Sequence, residues 1–180
     1  MSPEFHPLSA SFFLHCPRCG AAVPPGANGA LFTCAACNLV YHFNPAIAAA
    51  VFVVDPQERV LLIRRQKEPS KGMLAIPGGF IDMGEQAEVA ARREVWEETG
   101  VEIGALRFLA SHPNHYPYKG ILYPVLDFFF VARVDSQALD NAHPRDEVLE
   151  ILLRRKEEVN VEDLAFASMK AAWGDFVRLE

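Results

Sequence analysis

The feature that most restricts the fold and chemistry of this chain is an acidic helix predicted after a glycine turn, in the segment GFIDMGEQAEVAARREVWEETGV at 79–101. Glu94, Glu97 and Glu98 fall within two turns of this helix. At 3.6 residues per turn, their side chains share a sector of about 100°, so three carboxylates crowd one face. Like charges at these spacings repel one another, and a bound cation removes the repulsion. The segment therefore predicts a site for a divalent metal ion.

Small apolar residues accompany the three glutamates on this helix. Ala87, Ala90 and Ala91 project into the acidic sector, whereas Glu88, Arg92 and Thr99 are expected to face solvent. A solvated acidic surface is the alternative, because runs of charge usually lie at the surface. The alanines favour a metal site, since they permit close approach of another element. Carboxylate ligands suit Mg²⁺ or Mn²⁺, which keep several waters and bridge to substrate phosphates.

The segment resembles the Nudix box, which reads Gly, five residues, Glu, seven residues, Arg-Glu, an aliphatic residue, any residue, Glu-Glu, any residue, Gly and an aliphatic residue. The specified positions are all filled here, by Gly79, Glu85, Arg93, Glu94, Val95, Glu97, Glu98, Gly100 and Val101. The resemblance implies an α/β fold, namely a Nudix-type α/β/α sandwich with a mixed sheet. It also implies an enzyme that cleaves a nucleoside diphosphate linked to another moiety.

The resemblance assigns roles within the box. The ligands that it implies for the catalytic Mg²⁺ or Mn²⁺ are the backbone carbonyl of Gly79 and the carboxylates of Glu94, Glu97 and Glu98. Arg93 and Glu85 are expected to form an ion pair that orients the loop. The base that deprotonates the attacking water is either a box glutamate or a later carboxylate, for which Glu147 and Glu150 are candidates. An ordinary surface role is the alternative for both later residues.

All four cysteines lie before residue 40, in two Cys-x-x-Cys pairs: Cys16 with Cys19, and Cys34 with Cys37. This spacing is typical of a zinc ribbon, in which four thiolates bind a structural Zn²⁺ tetrahedrally. Gly20 and Asn38 follow the pairs and permit the unusual backbone angles of tight knuckles. Two disulfides and four reduced thiols are the alternatives. His15 and His42 lie near the pairs and are given packing roles.

The motifs and apolar runs divide the chain into a zinc ribbon at 1–44 and a Nudix hydrolase domain at 45–180. In the ribbon we predict a turn at Pro24-Pro25-Gly26 and strands at 31–33 and 39–41. In the second domain we predict a helix at 86–99 that Gly100 stops, and a terminal helix capped by Ser168. The remaining strands are predicted at 46–54, 59–65, 101–110, 121–134 and 147–154.

Composition narrows the class of protein. The net charge is −6, which argues against a nucleic-acid partner, since such a surface is normally basic. The apolar run at 46–54 is far shorter than the ~20 residues of a membrane span, and Ser11-Phe12-Phe13-Leu14 is too short for a signal peptide. We expect a soluble, cytoplasmic protein without a membrane partner.

The substrate is predicted less sharply. A zinc ribbon before a Nudix box is similar to the NADH pyrophosphatase branch, whose later motif is Ser-Gln-Pro-Trp-Pro-Phe-Pro-x-Ser. The corresponding stretch, 111–119, is SHPNHYPYK, which matches the motif only in part. We therefore predict a dinucleotide or nucleotide-sugar diphosphate, with ADP-ribose, NAD(H) and FAD as the leading set. The candidate contacts are Arg64, Arg65 and Lys71 for phosphate, and His115, Tyr116 and Tyr118, in a predicted loop at 111–120, for stacking.

Two other functions stay open at this point. One is a nucleoside triphosphate pyrophosphatase that removes damaged nucleotides. The other is a non-catalytic module that senses a nucleotide and binds a macromolecular partner through its ribbon. The complete box argues against the second, because a sensing module need not retain each metal-binding carboxylate. Whether the chain forms a homodimer is also left open.

Overall fold

The computed structural model describes residues 6–23 and 29–179. These residues form two compact units. The first contains the described residues up to 46 together with 115–124, and the second contains 47–114 and 125–179. The predicted turn at Pro24-Pro25-Gly26 lies outside the described residues.

The first unit is built around a short hairpin and the cysteine knuckles. Its elements are β1 (His6–Pro7), a 3₁₀ turn (Ala10–Phe12), β2 (Leu31–Thr33) and β3 (Val40–His42). β2 and β3 pair antiparallel, and β1 pairs parallel with residues 121–122. Phe32 and two cysteines form the buried centre, and rings of Phe13, Tyr41 and Phe43 pack edge-on around it. The predicted ribbon strands are present, the second one residue later than expected.

The second unit contains a mixed sheet and three helices. The strands of this sheet are β4 (Ala46–Val54), β5 (Val60–Arg65), β6 (Leu74–Ala75), β7 (Gly78–Phe80), β8 (Arg107–Tyr118), β9 (Ile121–Arg133) and β10 (Val148–Arg154). The first residue of β4, the end of β8 from residue 115 and the start of β9 up to residue 124 belong to the first unit. The helices are α1 (Ala87–Thr99), α2 (Ser136–Asp140) and α3 (Ala167–Val177), with 3₁₀ turns at Lys156–Glu158 and Val161–Asp163. The central strand order is β9-β4-β5-β10, with β6 beside β5, β7 beside β4 and β8 beside β9.

The centre of the sheet is covered on both faces. Val51, Phe52 and Val53 are successive residues of β4 and are all fully buried, which a strand achieves only between two layers. On one face, the ring of Phe52 stacks on Phe176 of α3 at 4.3 Å between centroids. Burial of such aromatic side chains contributes about 1.5–3 kcal/mol each. The sheet with its helices is the predicted α/β/α sandwich.

The structure corrects three local predictions. The strand predicted at 101–110 begins only at Arg107 and continues to Tyr118, so the predicted loop at 111–120 is strand except for its last two residues. Ser168 is not the cap of α3, because that helix begins at Ala167 and the buried Ser168 hydroxyl donates to Asp127. Thr99 is fully buried rather than solvent-facing, and its hydroxyl donates to the Val95 carbonyl at 2.6 Å.

Helix α1 ends where the sequence predicts. Gly100 adopts a left-handed φ of 72°, and its N–H donates to the Trp96 carbonyl at 2.9 Å. Glycine carries no steric penalty in this conformation, which explains the stop. Within the described ranges, no helix has the length and apolar character to cross a membrane.

Candidate active site

The candidate site lies where α1 meets the two glycines of β7. β7 pairs with β4 so that Gly78 lies opposite Ala50 and Gly79 opposite Ala49. A Cβ on Gly78 would lie 2.2 Å from the Ala49 carbonyl oxygen, and a Cβ on Gly79 would lie 2.6 Å from the carboxyl carbon of Glu94. Both distances are far below van der Waals contact. The chain therefore needs glycine at 78 for the close pairing of β7 with β4, and glycine at 79 for the Glu94 carboxylate to lie against the backbone.

Glu98 is held by the same turn. The Gly78 N–H donates to Glu98 Oε2 at 2.9 Å. Burial raises the pKa of Glu98 to about 8, with further contributions from the charges of Glu94 and Asp146, against the opposing effects of the Gly78 N–H and Arg65. Burial also raises the pKa of Glu94. Two carboxyl groups that resist ionisation therefore lie at the same turn, and a bound cation would favour their charged forms.

Arg93 organises the remaining box carboxylates. Its Nε and Nη2 donate to the two oxygens of Glu85 at 3.0 and 2.9 Å, and Nη1 donates to Glu94 at 2.7 Å and Glu97 at 3.1 Å. Nη2 also donates to the Phe80 carbonyl at 3.1 Å. The hydrogen bonds from Arg93 lower the pKa of Glu85. The Arg93–Glu85 ion pair that we predict is therefore present, and it joins the loop after β7 to α1.

The donor set fits a hard divalent cation. Glu94, Glu97 and Glu98 offer carboxylate oxygens, and the space beside Glu94 is one that a side chain on Gly79 would fill. These carboxylates are not closely convergent. Among the described residues, only the cysteines bring at least three ligand atoms within 4.8 Å of one another. Their role as ligands, and that of the Gly79 carbonyl, stays a prediction.

Two of the predicted phosphate contacts, Arg64 and Arg65, and both candidate bases already have partners in the protein. Arg64 Nε donates to Glu150 at 2.8 Å, and Lys67 Nζ donates to Glu147 at 2.6 Å. Arg65 donates to the Pro69 carbonyl, and its guanidinium lies 5.0 Å from the centroid of the Phe166 ring. Arg65 nevertheless lies close enough to Glu98 to lower its pKa. The predicted base and phosphate roles of these residues stay predictions.

Sequence reasoning missed Asp146. The N–H of the preceding residue, Arg145, donates to the Glu98 carbonyl at 3.0 Å, so Asp146 follows directly on a contact with the last turn of α1, and its negative charge contributes to the raised pKa of Glu98. It has a left-handed φ of 45°. No motif marks this position, because an aspartate in a polar loop has the same sequence signal whether or not it faces a site.

His115, Tyr116 and Tyr118 are strand residues in β8, and they belong to the first unit, whereas the box belongs to the second. Tyr118 is about half exposed, and Lys119 Nζ lies 5.1 Å from the centroid of its ring. The location that we predicted for these side chains, on a loop, is therefore wrong. Their role in stacking stays a prediction.

The four cysteines converge on one point in the first unit. Cys16 Sγ lies 3.7 Å from Cys37 Sγ, and Cys19 Sγ lies 3.7 Å from Cys34 Sγ. Zinc–sulfur bonds of about 2.3 Å in a tetrahedron place sulfur atoms roughly 3.8 Å apart, whereas a disulfide requires about 2.05 Å. The thiols are free, and Gly20 and Asn38 adopt left-handed φ values of 74° and 57° as predicted.

The two knuckles have the same backbone hydrogen bonds. Gly20 N donates to the Cys16 carbonyl and Asn38 N to the Cys34 carbonyl, each at 2.9 Å. Burial raises the pKa of Cys16, but backbone and thiol hydrogen bonds lower it to a net value of about 6. Four sulfur atoms that all lie within 4.8 Å of one another fit a metal that takes thiolate ligands.

Comparison with known proteins agrees with this geometry. The NUDIX domain family matches residues 44–178. The NAD-capped RNA hydrolase NUDT12 of Pongo abelii is 32% identical over 161 residues, which cover 82% of this chain and 34% of the relative. The mitochondrial NAD(P)H pyrophosphatase NUDT13 of Homo sapiens is 37% identical over 103 residues, which cover 57% of this chain and 28% of the relative.

The fold has solved counterparts. The crystal structure of a MutT NUDIX hydrolase from Burkholderia pseudomallei superposes with a TM-score of 0.62 at 21% identity, over 73% of this chain and 98% of that one. The fold is a sheet between helices, in which a helix that carries the glutamates follows two glycines. With the family match, this shows that the chain belongs to the Nudix family. It spans about a third of the length of these two curated relatives.

Proposed function

We propose that this chain is a metal-dependent pyrophosphohydrolase that cleaves the diphosphate of a dinucleotide or nucleotide sugar. The observation that carries the proposal is the pair of glycines in β7. Gly78 binds the Glu98 carboxylate through its N–H, and Gly79 leaves the space that the Glu94 carboxylate occupies. This arrangement holds the carboxyl groups in a partly buried place, where their ionisation is costly unless a cation is bound.

The roles proposed for the protein's own residues follow from their contacts. Glu94, Glu97 and Glu98, with the Gly79 carbonyl, would hold Mg²⁺ or Mn²⁺. Arg93 orients Glu94 and Glu97 through hydrogen bonds and ties them to Glu85. A divalent cation in such a site supplies activation of water and neutralises charge on the phosphates. Glu147 and Glu150 stay candidates for the base, and each would first have to part from its cationic partner.

NAD(H), ADP-ribose and FAD remain the proposed substrates. The names of the matched relatives support a nicotinamide dinucleotide, because both act on NAD-containing or NAD(P)H compounds. One relative is named for hydrolysis of NAD-capped RNA, whose cap contains the same diphosphate. The acidic net charge predicts that nucleic acid is not a partner, and this chain's behaviour toward a capped RNA tests that prediction.

We also propose a division into a zinc ribbon at 1–44, with Zn²⁺ bound by its four cysteines, and a hydrolase domain at 45–180. The sulfur spacings and the free thiols support the zinc. Reduced thiolates persist in reducing compartments, which supports a cytoplasmic location. Sedimentation of the purified chain decides whether it forms a homodimer.

A substrate panel tests the proposed reaction. It contains NADH, ADP-ribose, FAD, the nucleoside triphosphates and an NAD-capped RNA, each with Mg²⁺ and with Mn²⁺, and products are separated by chromatography. We expect a dinucleotide to give two mononucleotides, or a nucleotide sugar to give one mononucleotide and one sugar phosphate. Cleavage of triphosphates alone would identify the alternative enzyme. Binding of ADP-ribose without hydrolysis of any compound would identify a sensing module and contradict the proposal.

A further inference from the structure

The last turn of α1 is held by a segment far away in sequence. The His143 N–H donates to the Thr99 carbonyl at 3.1 Å, and the Arg145 N–H donates to the Glu98 carbonyl at 3.0 Å. The final carbonyls of a helix have no partner within the helix itself. The segment 143–145 therefore supplies partners for the turn that carries Glu98.

The side chain of Arg145 adds two contacts to the same turn. Its Nη1 donates to the Trp96 carbonyl at 3.2 Å, and its guanidinium lies 4.1 Å from the centroid of the Trp96 ring. The indole is 45% exposed, so this stack lies at the protein surface. A guanidinium over an indole is attracted by the ring, and the planar group hydrogen bonds at the same time.

The segment is anchored on its other side by the sheet. The Gln66 N–H donates to the Glu147 carbonyl at 3.0 Å, and Val148 pairs with Arg65 in β5. Asp146, with its left-handed φ of 45°, is the one residue between these two anchors. Its position relative to Glu98 is therefore set by Arg145 on one side and by Glu147 on the other.

We propose that Arg145 is a positioning residue for the cation site. Its guanidinium stacks on the Trp96 ring and donates to the Trp96 carbonyl, and these contacts fix the turn that carries Glu98 and the neighbouring Asp146. The inference rests on the proposed function, since it concerns the same site. It assigns Arg145 no contact with substrate or metal. The contacts of Arg145 are instead with the backbone and the ring that carry the site.

Binding of Mn²⁺ to the full chain, measured from the electron paramagnetic resonance signal of free Mn²⁺, tests this role without any substrate. We expect Arg145→Ala to weaken Mn²⁺ binding about ten-fold, because groups that orient metal ligands typically contribute at least that much. In turnover, we expect kcat to fall while KM for the substrate changes little. Arg145→Lys keeps a cation over the ring and one donor, and should restore part of the affinity.

Arg92 provides the matched control. It is an exposed arginine of α1 that also donates to two backbone carbonyls, those of Gly104 at 3.1 Å and Glu88 at 3.0 Å. We expect Arg92→Ala to change Mn²⁺ affinity by less than about two-fold, as surface substitutions usually do. Equal affinity for Arg145→Ala and the unmodified chain would overturn the inference. Equal weakening by both substitutions would also overturn it, because the effect would then reflect general loosening of α1.

A second variant decides the matter if Arg145→Ala does not fold. Trp96→Leu removes the ring under Arg145 but leaves the hydrogen bonds from Arg145 to the carbonyls of residue 96 and Glu98. The Mn²⁺ affinity of this variant should therefore also fall. An unchanged affinity would contradict the inference. If the unmodified chain binds Mn²⁺ but hydrolyses nothing, the proposed function fails and the inference stands or falls on the affinities. If the unmodified chain binds no Mn²⁺, there is no cation site to position, and the inference fails as well.

Discussion

The absence of a Cβ atom at Gly79 leaves the space that the Glu94 carboxylate occupies. The nearest neighbours of a Cβ built there are the carboxyl carbon of Glu94 and its two oxygens, at 2.6–2.7 Å. The glutamate would have to leave its place, since neither β7 nor β4 can move without breaking the pairing between them. A substitution at Gly79 therefore tests whether activity requires the Glu94 carboxylate in this place.

We expect Gly79→Ala to lower turnover by at least about ten-fold and to leave the free energy of unfolding nearly unchanged, because the atoms in the way are the far end of the flexible Glu94 side chain. Gly104→Ala is the control, because nothing lies within 4 Å of a Cβ at that position. Steady-state kinetics and urea unfolding of both variants measure the effects. Full activity in Gly79→Ala would show that Glu94 is free to act from another position.

Glu98→Gln keeps the shape of the side chain and removes its charge. We expect the divalent cation to bind more weakly and kcat to fall by about 100-fold or more, with the fold retained, because the site loses a ligand charge. Kinetics against metal concentration, with circular dichroism as the check on folding, measure this. Undiminished turnover would contradict the assignment of Glu98 to the metal site.

The same residue predicts how the metal-free protein responds to pH. The pKa of Glu98 rises from 4.5 to about 8 on folding. Between these values the unfolded chain releases a proton that the folded protein retains, so stability falls as pH rises through the window. We expect urea unfolding in a chelator to show this loss between pH 5 and 8, and a smaller loss in Glu98→Gln. Glu88→Gln, an exposed glutamate on the same helix, should behave like the unmodified chain.

At the scale of elements, the sequence predicts α1, β4, β5, β9 and β10 to within one or two residues, because each combines a clear apolar pattern with a defined stop. It does not predict the length of β8. That strand contains Pro113 and Pro117, which read as a loop because proline cannot donate to a ladder. Among the residues that the structure describes, β8 pairs with β9 alone, so its other edge tolerates proline. Only the tertiary arrangement distinguishes an edge strand of this kind from a loop.

The β8–β9 hairpin carries the prediction on substrate recognition. If Tyr118 stacks on a base, Tyr118→Ala should raise KM for the preferred dinucleotide by a factor that corresponds to about 1–3 kcal/mol, with the metal dependence unchanged. Phe108→Ala is the control, since Phe108 is an exposed ring at the opposite end of the same strand. Equal KM values for Tyr118→Ala and the unmodified chain would place recognition elsewhere.

At the scale of the whole molecule, the chain should contain two metals of different character. We expect about one Zn²⁺ per chain after dialysis, because thiolate sites bind far more tightly than carboxylate sites for Mg²⁺. Elemental analysis measures it, and Cys19→Ser should lower both the zinc content and the thermal stability of the first unit. Zinc-free protein with oxidised cysteines would favour the disulfide alternative.

The pairing of His6 and Pro7 with Ile121 and Leu122 has a consequence for the order in which the protein forms during translation. A ribosome adds about 5–20 residues per second, so β1 emerges many seconds before the strand that completes it. The cysteine knuckles, whose members are at most 21 residues apart in sequence, can close in that interval. Binding of a metal by the ribbon can therefore precede synthesis of the β8–β9 hairpin. β1, by contrast, can pair only after β9 is made, more than a hundred residues later.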